Sequence, residues 1–219
     1  MPGETIPQLF LSRYKQLGGK VAIRYKDFGK WQTYSWQDCH EVIKYFSLGL
    51  LSIGLERGDK VAIIGDNDPY LYWAYIAAEA IGSIPVPLYV DSIPKEINYI
   101  FNHSDAKFAV AKDQEQVDKF LAIRDTTPLI KKIIYWDPKG LRTYDEPMLI
   151  DFKEVMRLGK EYEQSNPNLF ELTAEEGRAE DTSALTYTSG TTAAVPKGVV
   201  MTHGYMLRNY DYVAKFAPL

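Results

Sequence analysis

Lys60-Val61-Ala62-Ile63-Ile64, then Asp66-Asn67-Asp68-Pro69, then an apolar run from Tyr70 to Ile81, then Ile84-Pro85-Val86-Pro87-Leu88: this stretch decides the fold. Lys60 to Ile64 is a short apolar run of strand length. Asp66 to Pro69 is a turn whose Asp-Pro pair suits the start of a helix. Tyr70 to Ile81 is long enough for a buried helix, and Ile84 to Leu88 reads as a second buried strand. Strand, helix and strand in that order predict a parallel βαβ unit, because parallel neighbours need a long crossover.

The same rhythm continues downstream. Pro94 to His103 reads as a helix, Lys107 to Ala111 as a strand, Gln114 to Arg124 as a helix and Lys132 to Trp136 as a strand. The fold class expected is therefore α/β, a mostly parallel sheet flanked by helices on both faces. Upstream, Thr5 to Leu17 is an opening helix, and Val21–Tyr25 and Lys30–Tyr34 form a hairpin around Asp27-Phe28-Gly29. Ser35 and Asp38 make a capping-box pattern for a helix that runs to about Ile53, with Gly54 as its stop. Downstream, Asp137 to Pro147 reads as surface loop and Asp151 to Glu163 as a helix. Gln164 to Glu180, polar and acidic, reads as a mobile linker.

The 219 residues are 46% hydrophobic and 25% charged, a globular composition with ample material for a core. A net charge of -4 with scattered lysines and arginines argues against a nucleic-acid partner. Cys39 is the one cysteine, so no internal disulfide can form; it reads as a structural thiol in a helix. Met1 to Thr5 has no signal-peptide character, and a cytoplasmic location is expected. The greasiest window, Tyr70 to Val90, is interrupted by Glu79, Gly82, Pro85 and Pro87, so no transmembrane segment is expected there; peripheral membrane contact stays open.

The chemistry is concentrated at Leu185-Thr186-Tyr187-Thr188-Ser189-Gly190-Thr191-Thr192-Ala193-Ala194-Val195-Pro196-Lys197-Gly198-Val199. Thr and Ser hydroxyls and backbone N–H groups donate to anionic oxygens, Gly190 permits close backbone approach, and Lys197 supplies a mobile positive charge. A Walker-type loop requires four residues between its glycine and a Gly-Lys pair, followed by Ser or Thr and a helix. Here a proline precedes Lys197, a glycine follows it, and Val199-Val200-Met201 reads as a strand. No Gly-x-Gly-x-x-Gly follows any predicted strand either. An ordinary surface turn seldom needs so many hydroxyls followed by Pro-Lys-Gly. The unit predicted is strand Thr182–Thr188, hydroxyl-rich loop, strand Gly198–Met201, and a helix from about His203 to Phe216, with the loop near one sheet edge. His203, at the start of that helix, reads as a surface or capping residue rather than a base.

At these residues the chain resembles the adenylate-forming superfamily of acyl- and aryl-CoA synthetases, luciferases and peptide-synthetase adenylation domains. Tyr187 to Thr192 and Pro196-Lys197-Gly198 match its loop Tyr-Thr-Ser-Gly-Thr-Thr-Gly-x-Pro-Lys-Gly. Tyr34-Ser35-Trp36, Gly54, Gly58 to Ile63 and Ala80 to Leu88 are similar to its N-terminal blocks in order and spacing. Ile134 to Leu141 and Asp151 to Glu163 look most like the long-chain fatty acyl-CoA synthetase branch. The resemblance implies a ligase that uses ATP, Mg²⁺ and CoA on a fatty acid, through an acyl-adenylate. It implies that Thr188, Ser189, Gly190, Thr191 and Thr192 cradle the β- and γ-phosphates. Lys197 would neutralise the departing pyrophosphate as the catalytic cation, and Thr188 would take the metal.

Two departures follow. Ala193-Ala194-Val195 stands where the family loop has Gly-x, one residue longer and without the glycine. A non-glycine at positive φ costs roughly 1–2 kcal/mol, so an altered nucleotide grip is expected. The resemblance also implies adenine, ribose and acyl sites, and a mobile small domain, beyond Leu219. Residues 1–219 are thus expected to be the N-terminal portion of a large AMP-binding domain: a sheet region over 1–180, and a phosphate-loop unit over 181–219. That portion is expected to be inactive alone and open to self-association through its apolar surface. The alternative is a non-catalytic binding or interaction module with a degenerate phosphate loop.

Overall fold

In the computed structural model, residues 3–188 and 196–216 are described. The chain runs α1 (Ile6–Leu17), β1 (Val21–Asp27), β2 (Lys30–Ser35), α2 (Trp36–Ser52), β3 (Lys60–Ile64), α3 (Pro69–Ala80), β4 (Ile84–Leu88), α4 (Pro94–Ser104), β5 (Ala106–Ala111) and α5 (Gln114–Leu121). It continues through β6 (Lys132–Tyr135), β7 (Leu149–Asp151), α6 (Phe152–Ser165), α7 (Leu169–Glu175), β8 (Thr182–Thr188), β9 (Lys197–Thr202) and α8 (His203–Phe216). β3 to β7 form one parallel sheet in the order β4-β3-β5-β6-β7. The expected α/β architecture is the one observed.

Period-two alternation sends the sheet side chains into two separate cores. Val61, Ile63, Phe108, Val110 and Ile134 join the core made with α1, α2, α3, α6 and α7. Ala62, Ile64, Ala109, Ala111 and Ile133 join the opposite core, made with α4 and α5. Both faces are dry, which is why these strands read as unbroken apolar runs. On the first face, α2 and α6 cross closely. A Cβ on Gly49 would stand 2.0 Å from the Val155 carbonyl oxygen, and one on Gly159 would stand 1.9 Å from that of Tyr45. Phe46 and Phe152 stack beside this crossing with ring centroids 3.8 Å apart.

Strand β4 forms one edge of the sheet. The Ile84 N–H points inward to the Asp59 carbonyl at 2.8 Å, so Pro85 and Pro87, on the alternate register, present the outer edge without donors. The antiparallel β8–β9 hairpin lies against that edge as a separate two-stranded sheet.

The capping reading holds in detail. Ser35 Oγ accepts from the Asp38 N–H, and Asp38 Oδ2 accepts from the Ser35 N–H. Asp68 caps α3 by accepting from the Leu71 N–H at 3.2 Å. Two expectations need correction. The stretch from 164 to 180 is no mobile linker: α6 extends to Ser165, and α7 follows with Phe170 only 1% exposed and Ala174 also buried. Phe170 and Ala174 are four apart and share the helix face that seats in the first core, while Glu171 and Glu163 both pair with Lys44 of α2. Of the acidic residues on α7, Glu171 turns to Lys44 and Glu175 stands exposed. Strand β7 was also not anticipated; three residues are too few to show a period.

Among the described residues no helix is long and apolar enough to cross a membrane. The Tyr70–Val90 window divides into α3 and β4, as its breakers imply.

Candidate functional site

The hydroxyl-rich loop hangs from the β8–β9 hairpin. The two strands pair from Thr182↔Thr202 to Thr188↔Lys197, so both ends of the loop emerge side by side. Thr188 and Lys197 are therefore opposite one another on the last rung, and both are exposed. Lys197 makes no ion pair among the described residues. Ser189, Gly190, Thr191 and Thr192, and the Ala193-Ala194-Val195 departure, lie outside the described residues. The structure thus brings together two of the sequence-predicted site residues, Thr188 and Lys197.

What holds this hairpin is a set of polar anchors along β8. Ser183 is buried, and its hydroxyl donates to Glu79 Oε1 of α3 at 2.5 Å. Burial pushes the Glu79 carboxyl up to about 8, against the opposing pull of the Ser183 hydrogen bond. Leu185 packs on the second core. Tyr187 is buried there too; its hydroxyl lies 2.7 Å from Nδ1 of His103 on α4, with the two rings edge-to-face at 5.6 Å. Burial first, then Tyr99 and Asp105, pushes the Tyr187 phenol up to about 12. It is a neutral anchor. Thr186 donates to the Val199 carbonyl across the hairpin at 3.3 Å.

His203 corrects an expectation. It is only 4% exposed, not on the surface, and it caps a different helix from the one it begins. Its Nδ1 accepts from the Ile6 N–H at 3.3 Å, one of the orphan donors in the first turn of α1, and its own N–H reaches the Asp181 carbonyl at 3.1 Å. Burial pushes its imidazole down to about 4, partly offset by Asp181. A neutral, buried, bonded ring is a structural pin.

Sequence reasoning noted Glu79 only as an interruption of an apolar window. A lone carboxylate inside Ala77-Ala78-Glu79-Ala80 was the available signal for a buried partnered acid. For His103 no local signal existed, since its partner lies 84 positions away. Cys39 is buried in α2 and burial raises its thiol, as a structural cysteine requires. Among the described residues no cluster of three or more His, Cys, Asp or Glu could hold a metal. Thr188 offers an exposed hydroxyl oxygen, the kind of hard donor that Mg²⁺ favours.

The family model described as AMP-binding enzyme matches residues 10–218. The long-chain-fatty-acid–CoA ligase ACSBG2 of Xenopus laevis is 30% identical over 203 residues, covering 93% of this chain and 27% of the relative. The ligase ACSBG1 of Homo sapiens is 27% identical over 198 residues, covering 90% and 26%. The chain thus spans about a quarter of the length of these relatives. Among solved structures, the anthranilate CoA ligase AuaEII in complex with anthranoyl-AMP matches with a TM-score of 0.77 at 19% identity, over 96% of this chain and 36% of that one. A long-chain-fatty-acid-CoA ligase from Archaeoglobus fulgidus matches at 0.75 and 20% identity, over 96% and 38%. These structures share the fold, and with the family model spanning nearly the whole sequence, the chain belongs to the AMP-binding enzyme family, within the adenylate-forming superfamily.

Proposed function

We propose that these residues carry the polyphosphate-gripping part of an AMP-forming acyl-CoA synthetase acting on a long-chain fatty acid. The loop from Thr188 through Ser189, Gly190, Thr191 and Thr192 to Lys197 holds the β- and γ-phosphates of ATP. Lys197 offsets the charge that develops on pyrophosphate as the carboxylate attacks the α-phosphate. Thr188 would hold Mg²⁺ through its hydroxyl, and the ion would supply further charge neutralisation. CoA thiol then displaces AMP to give the thioester. The fatty acid is inferred from the relatives, which are ligases of that substrate.

One observation supports the reading above the others. An antiparallel rung sets Thr188 opposite Lys197, so a hydroxyl and an ammonium flank the loop mouth on an anchored hairpin. Preorganised donors of this kind act without reorganising at the moment of reaction.

Calorimetric titration with Mg·ATP tests the reading. Lys197→Ala is expected to weaken ATP binding about tenfold to a hundredfold, the worth of one charge-assisted contact, with the circular dichroism spectrum unchanged. Equal affinity in the two proteins would overturn it.

A further inference from the structure

A crevice of about 410 Å³ is lined by Tyr25, Phe28, Tyr34, Tyr70 and Trp136 among others, with no residue of the β8–β9 hairpin among them. Its floor is set by topology. The order β4-β3-β5-β6-β7 reverses its direction of growth between β3 and β5, and open α/β sheets bind ligands outside the carboxyl ends of strands at such a point. Asp68 follows β3, Lys112 follows β5, and Trp136 and Asp137 follow β6; all line the crevice.

Its roof is strained. Phe28 sits at the β1–β2 turn with φ of 43°, a left-handed conformation that is an outlier for a bulky side chain, followed by Gly29 at 80°. The ring gains nothing from burial, being 86% exposed. Strain kept at an exposed aromatic residue over a crevice is a mark of function.

The charges select the ligand. The α3 N-terminus would favour an anion, but Asp68 cancels it, with one oxygen on the Leu71 N–H and the other accepting from Trp136 Nε1 at 3.0 Å. Lys112 is tied to Asp66 at 2.5 Å. The Asp27 carboxylate makes no ion pair or side-chain hydrogen bond among the described residues, and neither do the hydroxyls of Tyr25, Tyr34 and Tyr70. Burial first, then Asp27 and Asp68, raises the Tyr34 phenol, in keeping with a negative field on this wall. Lys139 already uses that field: its ammonium sits 4.9 Å from the Phe28 ring centroid and 3.9 Å from Asp137.

We infer that this crevice is a second ligand site, for a small alkylammonium that displaces the Lys139 ammonium from beneath Phe28 and pairs with Asp27 and Asp137. Aromatic faces with a carboxylate rim suit such a cation, and a neutral molecule of the same shape loses both attractions.

Calorimetric titration of the whole chain with choline, and with its neutral isostere 3,3-dimethylbutan-1-ol, tests this. Choline is expected to bind saturably and the isostere at least tenfold more weakly. Lys139→Met, which vacates the seat, is expected to tighten choline binding several-fold. Phe28→Asn relieves the backbone strain, so the protein becomes slightly more stable while choline binding falls about tenfold. Co-sedimentation with phosphatidylcholine vesicles separates the sources: capture assigns a lipid headgroup, and choline binding without capture assigns a free ammonium. Equal binding of choline and the isostere overturns the inference. So does unchanged affinity in Phe28→Asn, or absence of saturation in both wild type and Lys139→Met up to roughly 10 mM.

Discussion

Replacing Glu79 by Gln changes how stability depends on pH, and the magnitude follows from two buried groups. Glu79 and His203 line one small cavity of about 180 Å³ beside the β8–β9 hairpin, whose Thr182 also lines it. The carboxyl is raised from 4.5 to about 8 and the imidazole lowered from 6.5 to about 4, both chiefly by burial. Between pH 4.5 and 6.5 the folded chain holds one proton, on Glu79, and the unfolded chain holds one, on His203; the two effects cancel. Above 6.5 the unfolded chain holds neither proton while the folded chain still holds that of Glu79. Stability therefore falls by roughly 1.4 kcal/mol per pH unit up to about 8, a loss of roughly 2 kcal/mol from pH 6.5. Below 4.5 the sign reverses: the unfolded chain protonates both groups, and stability falls as pH drops toward 4. Glutamine still offers a carbonyl to Ser183 but cannot ionise. Urea unfolding of Glu79→Gln is expected to give equal stability at pH 6.5 and 8, where the wild type loses roughly 2 kcal/mol. The variant should also gain a rising slope from pH 4.5 to 6.5, left by His203 and added to by His40, whose imidazole burial also lowers. Coincident wild-type curves at pH 6.5 and 8, or an alkaline loss retained in the variant, would refute the reasoning.

Gly159→Ala forces a methyl against the Tyr45 carbonyl at the α2–α6 crossing and is expected to cost about 3 kcal/mol; a thermal unfolding curve matching wild type would count against that close approach. Phe170→Ala removes the anchor of α7, with an expected loss of about 3–5 kcal/mol. Limited proteolysis should then cut between residues 164 and 180, and an unchanged digest would show that α7 does not depend on this ring. Tyr187→Phe removes the hydroxyl from His103 and should cost about 1 kcal/mol, read by urea midpoint; a neutral result would mean the pair is exchanged freely for water.

The parallel sheet was legible because buried strands announce themselves locally. Lys60–Ile64 and Ile84–Leu88 are bounded by turn residues, and both strands were read to the residue. The capping pair Ser35 and Asp38 was legible for the same reason, being three residues apart. Other features depend on partners far along the chain. The charge pattern of 164–180 reads as linker until Lys44 and the first core are placed beside it. His203 could be recognised as a pin only once Ile6, 197 positions away, was brought to its ring. The loop chemistry was written in residue types, while its anchoring by Glu79 and His103 was written in tertiary contacts.

Apolar side chains also stand exposed along the hairpin and the last helix, Val199, Val200, Tyr205 and Val213 among them.

Lysine acylation read by mass spectrometry, with and without nucleotide, addresses the central claim most directly. Lys197 is exposed at the start of β9. Mg·ATP is expected to shield it from acylation, pyrophosphate to shield it similarly, and AMP to leave it reactive. Equal labelling of Lys197 in all conditions, or shielding by AMP as strong as by ATP, would contradict a loop built to hold a polyphosphate tail.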